Sequence, residues 1–229
     1  MKIDLSASAT SSTSAGVVFW ITGFPRSGKS TLGRALWTEA RSRGYSAVSL
    51  DGDEFRQACG NELGFDMEGR LVNARRLSGL CGLLARQGHV VVCQTVSLFS
   101  EIHALNRRSF DHYVEVLLQV PASVRRRRDP RLHDAADQGE AMIPGVNQTY
   151  ELPTQPHVRF ETGFEDLCIP YAVEGLLRWL PQGEAPRPAP APRQPFSGIY
   201  KPVALHSGLN PLSTSRSATG AIPRRMYGE

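Results

Sequence analysis

Residues 21–33, ITGFPRSGKSTLG, match the spacing G-x-x-x-x-G-K-[ST] that is typical of a phosphate-binding loop. Glycines allow backbone angles that turn successive N–H groups toward a phosphate, and the following helix presents its N-terminus to the same anion. Lys29 can place its ammonium group on the β- and γ-phosphates, and the Ser30 hydroxyl can bind Mg²⁺. The residues expected to bind a nucleoside triphosphate are Gly23, Phe24, Pro25, Arg26, Ser27, Gly28, Lys29, Ser30 and Thr31.

Lysine is rare in this chain, and one of its few occurrences falls in the loop. Lys29 is the only lysine between Lys2 and Lys201, whereas arginine supplies the other basic side chains of that span. Lysine carries a compact point charge that the planar guanidinium of arginine does not reproduce. The placement supports a phosphate-binding role for Lys29.

Two carboxylates, Asp51 and Asp53, follow the apolar run SAVSL at 46–50. In open α/β sheets, ligands bind beyond the carboxyl ends of the strands. Two carboxylates beside a triphosphate can hold Mg²⁺ indirectly or accept a proton from an attacking hydroxyl. Asp-Gly-Asp is equally typical of a turn or a helix N-cap, so the pair alone leaves both interpretations open.

A cluster of arginines follows the acidic pair and favours the functional interpretation. Arg56 lies three residues beyond Asp53. The next helical stretch contains Arg70, Asn73, Arg75 and Arg76. Guanidinium groups bind phosphate-like anions in a bidentate manner, so the cluster predicts a second, anionic substrate.

Apolar runs and helical patterns alternate along the chain. The predicted strands cover 17–22, 46–50, 89–95, 113–120 and 157–161. The predicted helices cover 29–43, 68–87, 99–109 and 165–180, the last one bent at Pro170. The alternation predicts an α/β fold of the P-loop NTPase type, with a parallel sheet and helices on both faces.

Composition predicts one domain between two tails. Residues 1–15 are rich in Ser, Thr and Ala, and we expect them to be disordered. Residues 16–180 would form the domain. Residues 181–229 hold nine of the sixteen prolines, which predicts a disordered tail that is either solvated or docks another protein.

The net charge of +4 resides in that tail, which has six basic and two acidic residues, whereas residues 1–180 have twenty of each. A neutral domain argues against nucleic-acid binding, and we interpret the run Arg125–Arg128 as solvated charge except for Arg128. No apolar run is long enough for a membrane span, and the N-terminus lacks an apolar leader, so we expect a cytoplasmic protein. The four cysteines lack the spacing of a zinc site.

The motifs in their order resemble adenylyl-sulfate kinases, which use ATP to phosphorylate the 3′-hydroxyl of adenosine 5′-phosphosulfate (APS). The resemblance covers 17–162. The motifs that support it are GFPRSGKST, LDGDEFR, ELGF with RLVNARR, VS at 96–97, RRDP at 127–130 and GVNQTYE at 145–151.

The resemblance implies roles for particular residues. The implied catalytic residues are Asp53 as the main carboxylate, Asp51 as its assistant, Lys29 and Ser97. The implied acceptor-binding residues are Asp53, Arg56, Phe65 as the base-stacking ring, Arg70, Asn73, Val96, Ser97 and Ile143. Some relatives have been assigned a phosphorylated serine at the position of Ser97, a role that in-line transfer does not require. Arg128 would face ATP as part of the lid, the segment around 128–141 that covers the nucleotide. Ser30 and Asp53 would bind Mg²⁺.

Three departures from the family pattern leave the acceptor open. The family has Pro-Tyr-Arg where this chain has Leu98-Phe99-Ser100, and its lid contains lysines that are absent here. Ile143 replaces a base-stacking aromatic residue. The stretch TVSLFSEIHALNRR is similar to a divergent branch found with surface-polysaccharide genes, one of whose activities phosphorylates the 3′-hydroxyl of cytidine diphosphoramidate.

An alternative of another class is a scaffold that binds ATP without transfer and signals through the proline-rich tail. The set Asp53, Arg56, Arg70 and Asn73 argues against it, because a sensor needs no acceptor site. The family resemblance also implies a homodimer.

Overall fold

The computed structural model describes residues 16–148, 150–161 and 168–180. The strands are Val17–Gly23 (β1), Ala47–Asp51 (β2), Val90–Thr95 (β3), Tyr113–Leu118 (β4) and Val158–Phe160 (β5). The helices of this part are Lys29–Ser42 (α1), Gly52–Ala58 (α2), Met67–Arg86 (α3), Ser100–Ser109 (α4), Ala122–Arg128 (α5), Pro130–Asp137 (α6) and Ile169–Leu177 (α7).

The five strands form one parallel sheet in the order β2-β3-β1-β4-β5. Phe19 and Ile21 of β1 point to the face covered by α1 and α7. Val18 and Trp20 point to the opposite face, which packs against α3 and α4. Because both faces are covered, β1 is buried along its whole length and apolar from Val17 to Ile21. The predicted fold class is confirmed.

The parallel arrangement brings the ends of three strands to one edge of the sheet. Thr22 near the end of β1 pairs with Thr95 of β3 and with Leu117 of β4. Asp51 at the end of β2 pairs with Gln94 of β3. The loops that follow β1, β2 and β3 therefore emerge at the same edge, where α/β proteins bind ligands.

Three short helices, α2, α5 and α6, were not predicted, because seven or eight residues are too short to show an apolar period. Asp51 caps α2 by accepting from the backbone N–H of Asp53, and Asp129 caps α6 by accepting from that of Leu132. The predicted helix bent at Pro170 is wrong. Helix α7 begins at Ile169, and Pro170 lies in its first turn, where its missing N–H leaves no bond unmade.

Within the described ranges, no helix has the length and apolar character that a bilayer crossing requires. Residues 1–15 and 181–229 lie outside these ranges, so their expected disorder stays a prediction.

A carboxylate is fully buried in the middle of β4. Glu115 is 0% exposed, accepts a 3.0 Å hydrogen bond from the Tyr113 hydroxyl, lies 2.8 Å from His103 Nδ1 and pairs with Arg107. Burial alone would raise the pKa of Glu115, but the bonds from His103 and Tyr113 and the charge of Arg107 lower it. The cluster fixes α4 to the sheet.

Glu115→Ala should lower the free energy of unfolding by about 3–5 kcal/mol, because it leaves buried partners without their acceptor. Urea unfolding followed by circular dichroism measures the change. As a control, Glu101→Ala removes an exposed ion pair with Arg75, whose atoms lie 3.0 Å apart. That variant should cost less than about 1 kcal/mol. Equal costs for the two variants would contradict the stabilising role of the buried cluster.

Candidate active site

The loop between β1 and α1 has backbone angles that favour glycine. Gly28 precedes α1 with φ of +93° and no side chain caps the helix, so its first N–H groups face an incoming anion. Gly23 packs so closely on β4 that an added Cβ would lie 2.4 Å from the Leu118 carbonyl oxygen. The loop can therefore keep this path only with glycine at both positions.

Lys29 lies at the end of the loop and is 9% exposed. Its ammonium group donates a 2.8 Å hydrogen bond to the carbonyl oxygen of Phe24 in the same loop. Burial lowers the pKa of Lys29 to about 8, although the charges of Asp53 and Asp51 raise it. A triphosphate bound in the loop would stabilise the charged form.

The two aspartates at the junction of β2 and α2 have different contacts. Asp51 Oδ1 accepts from the backbone N–H of Asp53, and Asp51 Oδ2 accepts a 2.9 Å hydrogen bond from the Ser30 hydroxyl. Asp51 therefore caps α2 and also joins it to the first turn of α1. Asp53 lies in the first turn of α2 with its side chain exposed. The N-cap interpretation is confirmed for Asp51, and the functional interpretation of the pair stays a prediction.

An exposed aromatic ring beyond α2 lies close to two guanidinium groups. Phe65 is 57% exposed, and the guanidinium carbons of Arg56 and Arg70 lie 4.8 Å and 5.4 Å from its ring centroid. Arg56 donates to the carbonyl oxygens of Leu63 and Gly64, each at 2.8 Å, which fixes the turn that presents the ring. This platform offers a stacking face and positive charge to one ligand.

Three further predicted acceptor residues are buried or half-buried: Asn73, Val96 and Ser97. Asn73 is 5% exposed and its amide nitrogen lies 3.4 Å from the Gly52 carbonyl oxygen. Ser97 is fully buried, its carbonyl oxygen accepts from the Thr22 hydroxyl at 3.1 Å, and its own hydroxyl makes no hydrogen bond within the described residues. Val96 is half-buried beside it. Their roles stay predictions.

Ile143 is 3% exposed, and its neighbour Met142 is 49% exposed. The Met142 carbonyl oxygen accepts a 3.0 Å hydrogen bond from Arg70, which places this segment beside the Phe65 platform. The side chain of Ile143 faces the protein interior rather than solvent. Its contact with an acceptor stays a prediction.

The expected lid is the segment 129–141 with Arg128 before it, and it contains α6. Polar contacts connect it to α5 and to the phosphate-binding loop. Arg126 lies 3.1 Å from Asp134 and 2.6 Å from Asp137. Arg128 donates to the carbonyl oxygen of Arg26 at 3.1 Å. Asp134 and Asp137, the acidic side chains of α6, therefore both pair with Arg126 of α5.

Sequence reasoning missed the residues that surround Phe24. Tyr150 meets its ring edge-on at 4.7 Å between centroids, and a Cβ on Gly145 would lie 2.3 Å from the ring. The motif GVNQTYE contains Gly145 and Tyr150, but its sequence does not indicate that they contact Phe24. Arg125 packs on the same ring and is 3% exposed, so the interpretation of Arg125 as solvated charge is wrong.

The donor atoms beside the loop fit a magnesium ion. The Ser30 hydroxyl and the carboxylates of Asp51 and Asp53 are oxygen ligands, which Mg²⁺ prefers. No group of three or more His, Cys, Asp or Glu suited to a metal occurs in the part of the chain that the structure describes. This is compatible with Mg²⁺, which takes one or two protein ligands and fills its remaining positions with phosphate oxygens and water.

The sheet order, the phosphate-binding loop and the adjoining carboxylates define a P-loop kinase. A sequence model of the adenylylsulphate kinase family matches residues 15–161, and the chain belongs to this family. The protein is therefore an ATP-dependent kinase.

Individual relatives agree with this assignment. The chain is 32% identical over 171 residues to the adenylyl-sulfate kinase of Marinobacter nauticus, which covers 73% of this chain and 85% of the relative. It is 35% identical over 170 residues to that of Chloroflexus aurantiacus, covering 72% and 91%. The structure of the Mycobacterium tuberculosis APS kinase CysC in complex with AMPPNP and APS superimposes with a TM-score of 0.66 at 33% identity, covering 72% of this chain and 97% of that one.

The pKa of Lys29 predicts that ATP binding takes up a proton. Above pH 8 the free lysine is mostly neutral, whereas the bound phosphates favour its charged form. Uptake should rise from about 0.1 proton at pH 7 to about 0.8 at pH 8.5, as a group with pKa about 8 dictates. Calorimetry of Mg·ATP binding in buffers of different ionisation enthalpy measures this number. An uptake that is the same at both pH values would contradict the assignment to Lys29.

Proposed function

We propose that the protein transfers the γ-phosphoryl group of Mg·ATP to the 3′-hydroxyl of APS. The observation that supports this proposal best is the position of Asp53. Its exposed carboxylate lies in the first turn of α2 and makes the largest charge contribution to the pKa of Lys29, so the two groups are neighbours. The Phe65 platform lies on the same side of the sheet, beyond the end of α2.

The donor half of the site would bind ATP through the loop. Backbone N–H groups and the ammonium group of Lys29 would contact the phosphates. The oxygens of Ser30 and Asp53 would hold the magnesium ion, which would supply charge neutralisation to the phosphates. Arg128 would face the nucleotide from the lid, where its bond to Arg26 keeps it close to the loop.

The acceptor half would orient the nucleotide through its base and its anionic group. The base would stack on Phe65, and Arg56, Arg70 and Asn73 would align the phosphosulfate. Asp53 would accept the proton of the 3′-hydroxyl as its oxygen attacks the γ-phosphorus. The new bond joins O3′ to phosphorus, the bond between phosphorus and the β–γ bridging oxygen breaks, and ADP leaves.

The family assignment supports this proposal, since the similar CysC structure contains AMPPNP and APS. By the same reasoning the enzyme would act in sulfate assimilation in the cytoplasm. A homodimer and a protein contact of the proline-rich tail also stay predictions.

A second acceptor, cytidine diphosphoramidate, is favoured by one observation. Ile143 replaces a base-stacking aromatic residue of the family, and it is only 3% exposed. A smaller pyrimidine base depends less on two stacking faces than adenine does. Release of ADP from Mg·ATP, measured separately with APS and with the cytidine compound, tests both candidates. Turnover with APS supports the first, and turnover with only the cytidine compound replaces it by the second.

Asp53→Asn should retain ATP binding and lose about 10²- to 10⁴-fold in turnover, because the amide cannot accept the hydroxyl proton. Calorimetry of ATP binding and steady-state ADP release measure the two properties. Glu54→Gln is the matched control, because Glu54 is the exposed neighbour on the same helix. Turnover of Asp53→Asn equal to that of the control would exclude Asp53 as the base.

A further inference from the structure

Arg125 differs from the other arginines of α5 in its environment. It is 3% exposed, and its guanidinium carbon lies 4.3 Å from the centroid of the Phe24 ring. Its Nε donates a 3.2 Å hydrogen bond to the Val120 carbonyl oxygen just beyond β4. The side chain is thus buried against the first residues of the phosphate-binding loop.

The charge of Arg125 has no counter-ion among the described residues. Its Nη1 is buried and makes no hydrogen bond there. The nearby carboxylates pair elsewhere: Asp129 lies 2.6 Å from Arg26, while Asp134 and Asp137 face Arg126. A buried cation without an anion is costly, and arginine does not escape the cost by losing its proton.

Arg125 also shares the electrostatic environment of the donor site. The carbonyl group of Phe24, the residue on which Arg125 stacks, accepts the bond from Lys29. The charge of Arg125 is one of the causes that lower the pKa of Lys29, so the two cations repel each other across the loop. A polyanion bound at the loop would neutralise the charges of both Arg125 and Lys29.

We propose that the Arg125 guanidinium is a further phosphate-binding group of the donor site, which pairs with the polyphosphate of ATP. The inference rests on the donor half of the proposed function and does not depend on the acceptor. It gives the buried Nη1 the partner that the described residues do not provide. The stack on Phe24 would hold the planar group in place before the nucleotide arrives.

A structural role is the competing explanation, in which Arg125 only fills space beside Phe24. The two roles predict different variants. If Arg125 binds phosphate, the affinity for phosphate groups depends on its charge. Removing this buried cation should then leave the melting temperature of the free protein unchanged or higher. If Arg125 only packs, the length and shape of the side chain matter and its charge does not.

The test compares Arg125→Met, Arg125→Lys and the control Arg127→Met, which removes the same charge from an exposed position on α5. Calorimetry without acceptor measures the binding of Mg·ATP and of inorganic tripolyphosphate. Arg125→Met should weaken both by about 10- to 100-fold, the loss expected for a charged hydrogen bond. Arg125→Lys should lose less, and the control should change by less than about twofold.

Two results would overturn the inference. One is binding by Arg125→Met within about twofold of the unmodified protein, which an essential charged contact does not allow. The other is an equal loss in the Met and Lys variants, which a packing role predicts. Because no acceptor is present, failure of turnover with APS would not affect this result, and failure here would leave the acceptor assignment standing.

Discussion

The burial of the Lys29 ammonium group at the end of the central strand is the constraint on which the rest of the site depends. A charge at that depth is costly unless an anion reaches it, and its pKa of about 8 reflects that cost. Of the two carboxylates whose charges raise this pKa, Asp51 accepts bonds from the Asp53 backbone and the Ser30 hydroxyl, and Asp53 is exposed. The site therefore gathers positive charge that substrates with phosphate groups can neutralise.

The sheet could be predicted from the sequence because burial on both faces gives each inner strand a continuous apolar run. The strand predicted at 17–22 corresponds to Val17–Gly23 in the structure, and the one predicted at 89–95 corresponds to Val90–Thr95. Helices α2, α5 and α6 could not be predicted in this way, since seven or eight residues are too short to show an apolar period. The starts of α2 and α6 depend on the aspartate caps, and Asp-Gly-Asp is also typical of turns.

The phosphate-binding loop was predictable because its function depends on residues that are adjacent in the chain. The surroundings of Phe24 were not, because Arg125 and Tyr150 reach it from more than a hundred residues away. A run of four arginines reads as solvated charge, and nothing in the run indicates which member packs on an aromatic ring. The family resemblance named Phe65 and Ile143, but only the structure shows one exposed and the other buried.

The position of the transferred phosphoryl group tests the central claim most directly. The protein would be incubated with Mg·ATP and APS, and the nucleotide product isolated and examined by phosphorus–proton correlation NMR. We expect a new phosphorus resonance coupled to the proton on C3′ of the ribose, with the 5′-phosphosulfate intact. A phosphoryl group on another oxygen, or an unchanged acceptor while ATP is bound, would contradict the proposed reaction.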